Sequence, residues 1–165
     1  MRYAQIRKMD ISNGEGLGVA LFTQGCYIHC RNCFNKDLWN YNGGNQYDIV
    51  TQQTILSLIE KPYIKRFSIL GGEPLSEQNK DDLSMLCALI KEKRPEIKIW
   101  CYTGNIYEDI VNEYRVLLQY IDYLVDGPYI DELRDLTLKF RGSSNQRIID
   151  VQRSLKENKT IIYKE

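Results

Sequence analysis

Apolar residues along this chain fall into short runs separated by polar turns, and several of those runs read as strands feeding helices. Residues 19–23 (VALFT) form a short apolar strand leading into a cysteine-rich loop. Residues 67–70 form a second, ending at Gly71-Gly72. Beyond it, Leu83, Leu86, Cys87 and Ile90 recur at offsets 0, 3, 4 and 7. That is the stripe of a core-facing helix, so the spacing predicts a helix over 77–94, stopped by Pro95.

Residues 97–102 (IKIWCY) predict another strand with Thr103-Gly104 as its turn. Asn105 has Glu108 three residues on, the pattern of a capping box, which predicts a helix over 106–119. Ile110, Tyr114, Leu117 and Ile121 continue along one face of it. Residues 121–125 predict a strand breaking at Asp126-Gly127-Pro128. Near the end, Ile148, Val151 and Leu155 predict a last helix, and residues 160–163 a last strand.

Strands alternating with helices predict an α/β fold, an incomplete (β/α) barrel or a curved open parallel sheet of about five or six strands. A chain of 165 residues is too short for a full barrel of about 250. No repeat, low-complexity tract or linker divides it, so one domain over 1–165 is expected. In such sheets functional residues gather beyond the carboxyl ends of the strands. The loops at 26–33, 71–75, 103–104 and 126–128 are therefore expected on one rim.

Composition changes this picture little. Apolar residues make up 43% and charged residues 27%, and 22 basic residues balance 22 acidic ones. That balance gives no electrostatic case for nucleic acid or an anionic membrane. No apolar run approaches the roughly 18 residues of a membrane span. The start, MRYAQIRKMD, has no apolar signal region, so a cytoplasmic protein is expected.

The five cysteines are too few, and odd in number, for a disulfide framework. Cys26, Cys30 and Cys33 crowd together as C-x₃-C-x₂-C. Thiolates bind both iron–sulfur clusters and zinc. A closed zinc site wants four ligands, commonly as two pairs, and only three are here. Cys87 on its helix stripe and Cys101 inside its strand read as small core residues. A cubane on three cysteines would leave one iron open to a substrate. The competing readings are a zinc knuckle that enlists His29 and a one-cluster electron carrier. His29, the only histidine, immediately precedes Cys30, and adjacent residues rarely point at one ion. Its solitude also excludes a Cys–His or Ser–His nucleophilic mechanism elsewhere in the chain.

With this spacing in a βα framework, the sequence resembles the radical S-adenosylmethionine (SAM) superfamily, whose usual signature is C-x₃-C-x-aromatic-C. The resemblance grows at Gly71-Gly-Glu-Pro-Leu75, similar to the glycine-rich loop with which that superfamily binds the methionine part of SAM. It implies a [4Fe-4S] cluster on Cys26, Cys30 and Cys33. The implied seat for SAM comprises Asn32, Cys33 and Phe34 with Gly71, Gly72 and Glu73. Thr103, Gly104 and Asp126 are further rim candidates that also read as plain turn residues. One departure is Asn32, where an aromatic is usual; the aromatic follows as Phe34, which leaves a main-chain contact to adenine.

Three more stretches resemble one subfamily, the activating proteins of anaerobic ribonucleoside-triphosphate reductases. They are DISNG at 10–14, LVDGPYI at 124–130 and RGSSNQR at 141–147, the last also readable as a polar turn capping the final helix from Ser144 or Asn145. The resemblance implies that the enzyme cleaves SAM reductively and generates a glycyl radical on an anaerobic ribonucleoside-triphosphate reductase, its protein substrate. It also implies a flavodoxin or ferredoxin as electron donor, since no second cluster motif is present. The alternatives are an activator of another glycyl-radical enzyme or a small-molecule radical enzyme. The chain departs from the subfamily at Glu15 and Gly18, where proline and arginine are usual, and the residues after Val151 look like an extension.

Overall fold

The computed structural model describes residues 1–164. Its centre is a seven-stranded sheet in the order β3-β1-β2-β4-β5-β6-β7. The strands are β1 (Arg2–Asp10), β2 (Gly18–Thr23), β3 (Asn45–Gln46), β4 (Arg66–Gly71), β5 (Lys98–Tyr102), β6 (Tyr123–Asp126) and β7 (Arg147–Asp150). The four central strands, β2, β4, β5 and β6, run parallel. The edges are antiparallel: β1 on β2, β3 on β1, and β7 on β6. The expected open α/β sheet is present, and its flanks correct the expectation of a wholly parallel one.

Central parallel strands are buried on both faces, which explains why β2 and β4 read as continuous apolar runs. On one face, Val19, Leu21, Phe67, Ile69, Ile99, Cys101 and Leu124 form the main core. Helices α1 (Ile49–Ile59) and α2 (Lys80–Lys93) cover it with Ile55, Ile59, Leu83, Leu86 and Ile90. The other face carries Ala20, Phe22 and Leu70, and separately Trp100, Val125 and Ile148. Loops rather than helices pack there, and they enclose the cavity described below.

Several boundaries differ from the sequence reading for physical reasons. No element was legible in 2–10 or 49–59, yet both are regular. β1 is paired on its outer side only by the two-residue β3 at Arg2 and Tyr3 and has a mostly polar, half-exposed pattern, and α1 is announced chiefly by Asp48, whose carboxylate accepts from the Thr51 amide at 2.8 Å. The predicted helix over 106–119 is two short pieces, α3 (Tyr107–Ile110) and α4 (Arg115–Leu118). Its capping box does not form. Asn105 bonds to the Thr103 hydroxyl, and Glu108 turns to Arg147. The predicted 77–94 helix opens with a 3₁₀ turn and is α-helical only over α2.

The last helix, α5 (Val151–Glu157), is capped by Asp150, not by Ser144 or Asn145, and Ile148 belongs to β7. Residues 160–163 form no strand; Ile162 makes a single bridge to Ile149. The RGSSNQR segment is thus the approach to β7, and its final residue is a latch. Arg147 donates to Asp126 at 2.9 and 2.5 Å and to Glu108 at 3.1 and 2.7 Å. Asp126 has no exposed surface and also accepts from the Tyr107 amide at 2.9 Å, so one carboxylate joins β6, β7 and the start of α3. Hydrogen bonds from Arg147 pull the Glu108 carboxyl down to about 2.

Removing Arg147 would strand the buried Asp126 charge. Arg147→Leu is expected to cost about 3 kcal/mol or more, while Glu108→Gln, at the half-exposed end of the latch, should cost about 1 kcal/mol or less. Urea denaturation of the cluster-free protein measures both; an Arg147→Leu midpoint equal to the parent's would remove the latch from the account.

Candidate functional site

Loops leaving β2, β4, β5 and β6 meet around one cavity of about 480 Å³. Cys26, Cys30 and Cys33 line it together with Gly71, Gly72, Glu73, Thr103, Gly104 and Gly127. The rim expected from the strand order is therefore present.

The cysteine loop is held mainly by its own backbone. Gly25 (φ +98°) donates to the Leu38 carbonyl at 2.7 Å, and a Cβ there would lie 2.0 Å from the Tyr41 ring. Cys26 N–H reaches the Trp39 carbonyl at 3.2 Å. His29 and Asn32 take left-handed φ values of 53° and 56°, which lets the loop turn twice within a few residues. The His29 ring stacks on Trp39 at 4.2 Å and is not part of the cavity lining.

Amide hydrogens point at the sulfurs. Asn35 N–H donates to Cys33 Sγ at 3.3 Å, those of Ile28 and His29 face Cys26, and that of Tyr129 faces Cys30. Burial still raises the free Cys26 and Cys30 thiols above their ordinary range. Such donors suit the anionic thiolates of an iron–sulfur site. Among the described residues no group of three or more His, Cys, Asp or Glu side chains stands arranged to hold a single metal ion. Thiolates that each bind a different iron of a cluster need no such convergence. Cys87 and Cys101 lie fully buried in the core, where loss of solvent raises Cys87 to about 12 and Cys101 well above its ordinary value.

The glycine loop meets the cysteine loop edge to edge. Gly72 N–H donates to the Thr23 carbonyl at 2.9 Å, and Glu73 N–H to the Gly25 carbonyl at 2.7 Å. A Cβ on Gly72 would lie 2.2 Å from that Gly25 oxygen, and one on Gly71 (φ +110°) 2.7 Å from the Thr23 backbone. The absent side chains therefore serve a contact within the chain, as well as leaving backbone open to the cavity.

Glu73 is 1% exposed, and its carboxylate is spent inside the protein. It accepts from Leu75 N–H at 2.9 Å, the Thr103 hydroxyl at 2.8 Å and Gly104 N–H at 2.9 Å. The last two of these donors tie the loop after β4 to the loop after β5. Desolvation outweighs them and lifts the carboxyl to about 6. Asn32 turns its side chain out to Asp131 at 2.8 Å, and Phe34 lines the cavity with its ring 5.4 Å from Tyr129.

Sequence reasoning placed the cysteines, Phe34 and the glycine loop at one cavity, and Thr103 and Gly104 join them. Asp126 does not line it and belongs to the latch. A wall was missed: Ser12 and Asn13 after β1, and Tyr129, Arg134, Leu136, Phe140 and Arg141 before β7. All three stretches that carried the resemblance, at 10–14, 124–130 and 141–147, contribute to that wall.

Comparison with known proteins places most of the chain in one family. The family described as a 4Fe-4S single cluster domain matches residues 12–149. The chain is 37% identical over 148 residues to the anaerobic ribonucleoside-triphosphate reductase-activating protein of Enterobacteria phage T4, covering 90% of this chain and 93% of that one. It is 36% identical over 150 residues to the protein of that name from Haemophilus influenzae, with 90% and 97% covered. The Escherichia coli K12 protein of the same name is 35% identical over 148 residues, with 88% and 96% covered.

The raised Glu73 carboxyl has a pH signature. Its folded value lies above its unfolded one, so the folded state holds the extra proton, and stability gains as pH falls from above 6 towards 4.5. The gain is about 2 kcal/mol at most for a shift of this size. Denaturation of cluster-free parent and Glu73→Gln across this range should show the gain in the parent alone; equal slopes would contradict it.

Proposed function

This chain belongs to the anaerobic ribonucleoside-triphosphate reductase-activating proteins and to the 4Fe-4S single cluster domain family, and on that footing we propose that it is a radical SAM activase. Its substrate is a glycine of an anaerobic ribonucleoside-triphosphate reductase. The observation that carries the reading is the convergence of three cysteines and a glycine loop, from separate strand ends, on one cavity.

In this reading Cys26, Cys30 and Cys33 hold a [4Fe-4S] cluster, and the amides aimed at their sulfurs stabilise the thiolates. Asn32 to Phe34 and Gly71 to Glu73 seat SAM. The main chain of the cysteine loop serves adenine, because the Asn32 side chain is engaged by Asp131. The glycine loop offers backbone N–H and C=O groups to the amino-acid end of SAM. Glu73 keeps two of the loops in register while its own charge stays enclosed. The open sheet acts as an incomplete barrel of the radical SAM type, a single domain over 1–165.

A cluster held by Cys26, Cys30 and Cys33, with SAM seated beside it, would supply one-electron reductive cleavage of the sulfonium and so the means to abstract a hydrogen atom from the partner's glycine. A glycine Cα radical is stabilised by its flanking peptide groups, and no side chain obstructs its approach. The electron comes from outside the chain, from a flavodoxin or ferredoxin in the cytoplasm. No helix among the described residues is long and apolar enough to cross a membrane.

The test uses reconstituted protein, SAM, a reductant and the anaerobic reductase. A glycyl doublet should appear by electron paramagnetic resonance (EPR). It should vanish when the reductase's radical-site glycine is alanine, or when Cys26, Cys30 or Cys33 is alanine, and persist in Cys87→Ala. SAM cleavage with no glycyl signal on the wild-type reductase would sink the activase assignment.

A further inference from the structure

Arg66, the first residue of β4, is 0% exposed and reaches across the loop-covered face of the sheet. Its guanidinium gathers one segment, residues 10–16. Nη2 donates to the Asp10 carbonyl at 2.6 Å, to Asp10 Oδ1 at 2.9 Å and to the Gly16 carbonyl at 3.3 Å. Nη1 donates to the Asn13 carbonyl at 2.9 Å and to the Ser68 hydroxyl, which itself donates to that Asn13 oxygen at 2.6 Å. Burial alone would raise the Asp10 carboxyl, but hydrogen bonds from Arg66 and Asn13 hold it below its ordinary value.

Two glycines make room for this side chain. Gly18 pairs with Arg66 in the β2–β4 ladder, and a Cβ there would lie 2.8 Å from the guanidinium carbon. Gly14 (φ +129°) rests on the arginine stem and on Trp100, at 2.6 and 2.8 Å from where its Cβ would be. The space beside Gly18 is thus filled by the guanidinium from the neighbouring strand. Between these contacts lie Ser12 and Asn13, both lining the cavity.

A buried ion pair needs only a carboxylate, yet most of the Arg66 bonds go to main-chain oxygens spread over the segment. That pattern aims a backbone. We propose that Arg66 is a positioning residue, whose fork fixes residues 10–16 as one wall of the cysteine cavity and thereby sets how tightly SAM is held. The inference rests on the SAM reading above.

Arg66→Lys tests it, because an ammonium keeps the charge beside Asp10 but cannot span three carbonyls and a hydroxyl. Ser68→Ala is the milder companion, and it decides the matter if the lysine variant fails to fold. Both are loaded with cluster anaerobically. Iron content should match the parent, and amides of residues 11–17 should exchange hydrogen faster. The SAM concentration that half-shifts the EPR signal of the reduced cluster should rise about tenfold in Arg66→Lys, and less in Ser68→Ala. Parent-like SAM dependence in the folded variants overturns the proposal, as does parent-like exchange of 11–17. A parent cluster that ignores SAM overturns the SAM reading itself, and the assignment to Arg66 with it.

Discussion

The constraint on which the site depends is the contact between two pieces of backbone at neighbouring strand ends. The carbonyl of Gly25 accepts from Glu73 N–H, and the Gly72 Cα stands so near that a side chain there would reach within 2.2 Å of the same oxygen. Parallel strands β2 and β4 are in register up to Thr23 and Gly71, and the contact extends their pairing one step beyond the sheet. Because it persists past the last ladder bond, the loop with the cysteines and the loop with the glycines leave the sheet as one unit. The cavity depends on that coupling more than on any single side chain.

Buried charges then secure the parts that the sheet does not reach. Glu73 binds the loop after β4 to the loop after β5. Asp126 and Arg147 bind β6 to β7 and so fix the segment that walls the cavity. Arg66 binds the segment after β1. Each is a charge surrounded by main-chain donors or acceptors, or paired with an opposite charge, the condition under which burial is tolerated. Such groups do little for net stability and much for geometry, and here each one orients a strand-end loop that contributes to the site or to its wall.

Much of this was legible in the sequence. Central parallel strands announce themselves as apolar runs, so β2, β4, β5 and β6 were found within a residue or two; the stripe found α2, though its first three expected residues form a 3₁₀ turn. The antiparallel edge was not. β1 alternates weakly because most of its residues are only partly buried, with Tyr3 and Ile6 against one core cluster and Ala4 against another, and β7 reads like helix because Ile148 and Val151 straddle a strand–helix junction. At the site, thiols and glycines were found because their spacing is local. Arg66, Asp10 and Asn13 meet across more than fifty residues, which no local pattern reveals, although Gly18 left a trace as an unexplained glycine. The far wall was hinted at by RGSSNQR, whose arginine latch and turn geometry only the fold could separate.

The central claim is that three thiolates from one loop hold a cluster with one iron left for SAM. Mössbauer spectroscopy of protein reconstituted with isotopically enriched iron, with and without SAM, tests it directly. The account predicts one iron of the cubane distinct from the other three, and a change confined to it when SAM is added. Four irons that stay equivalent and indifferent to SAM would contradict it.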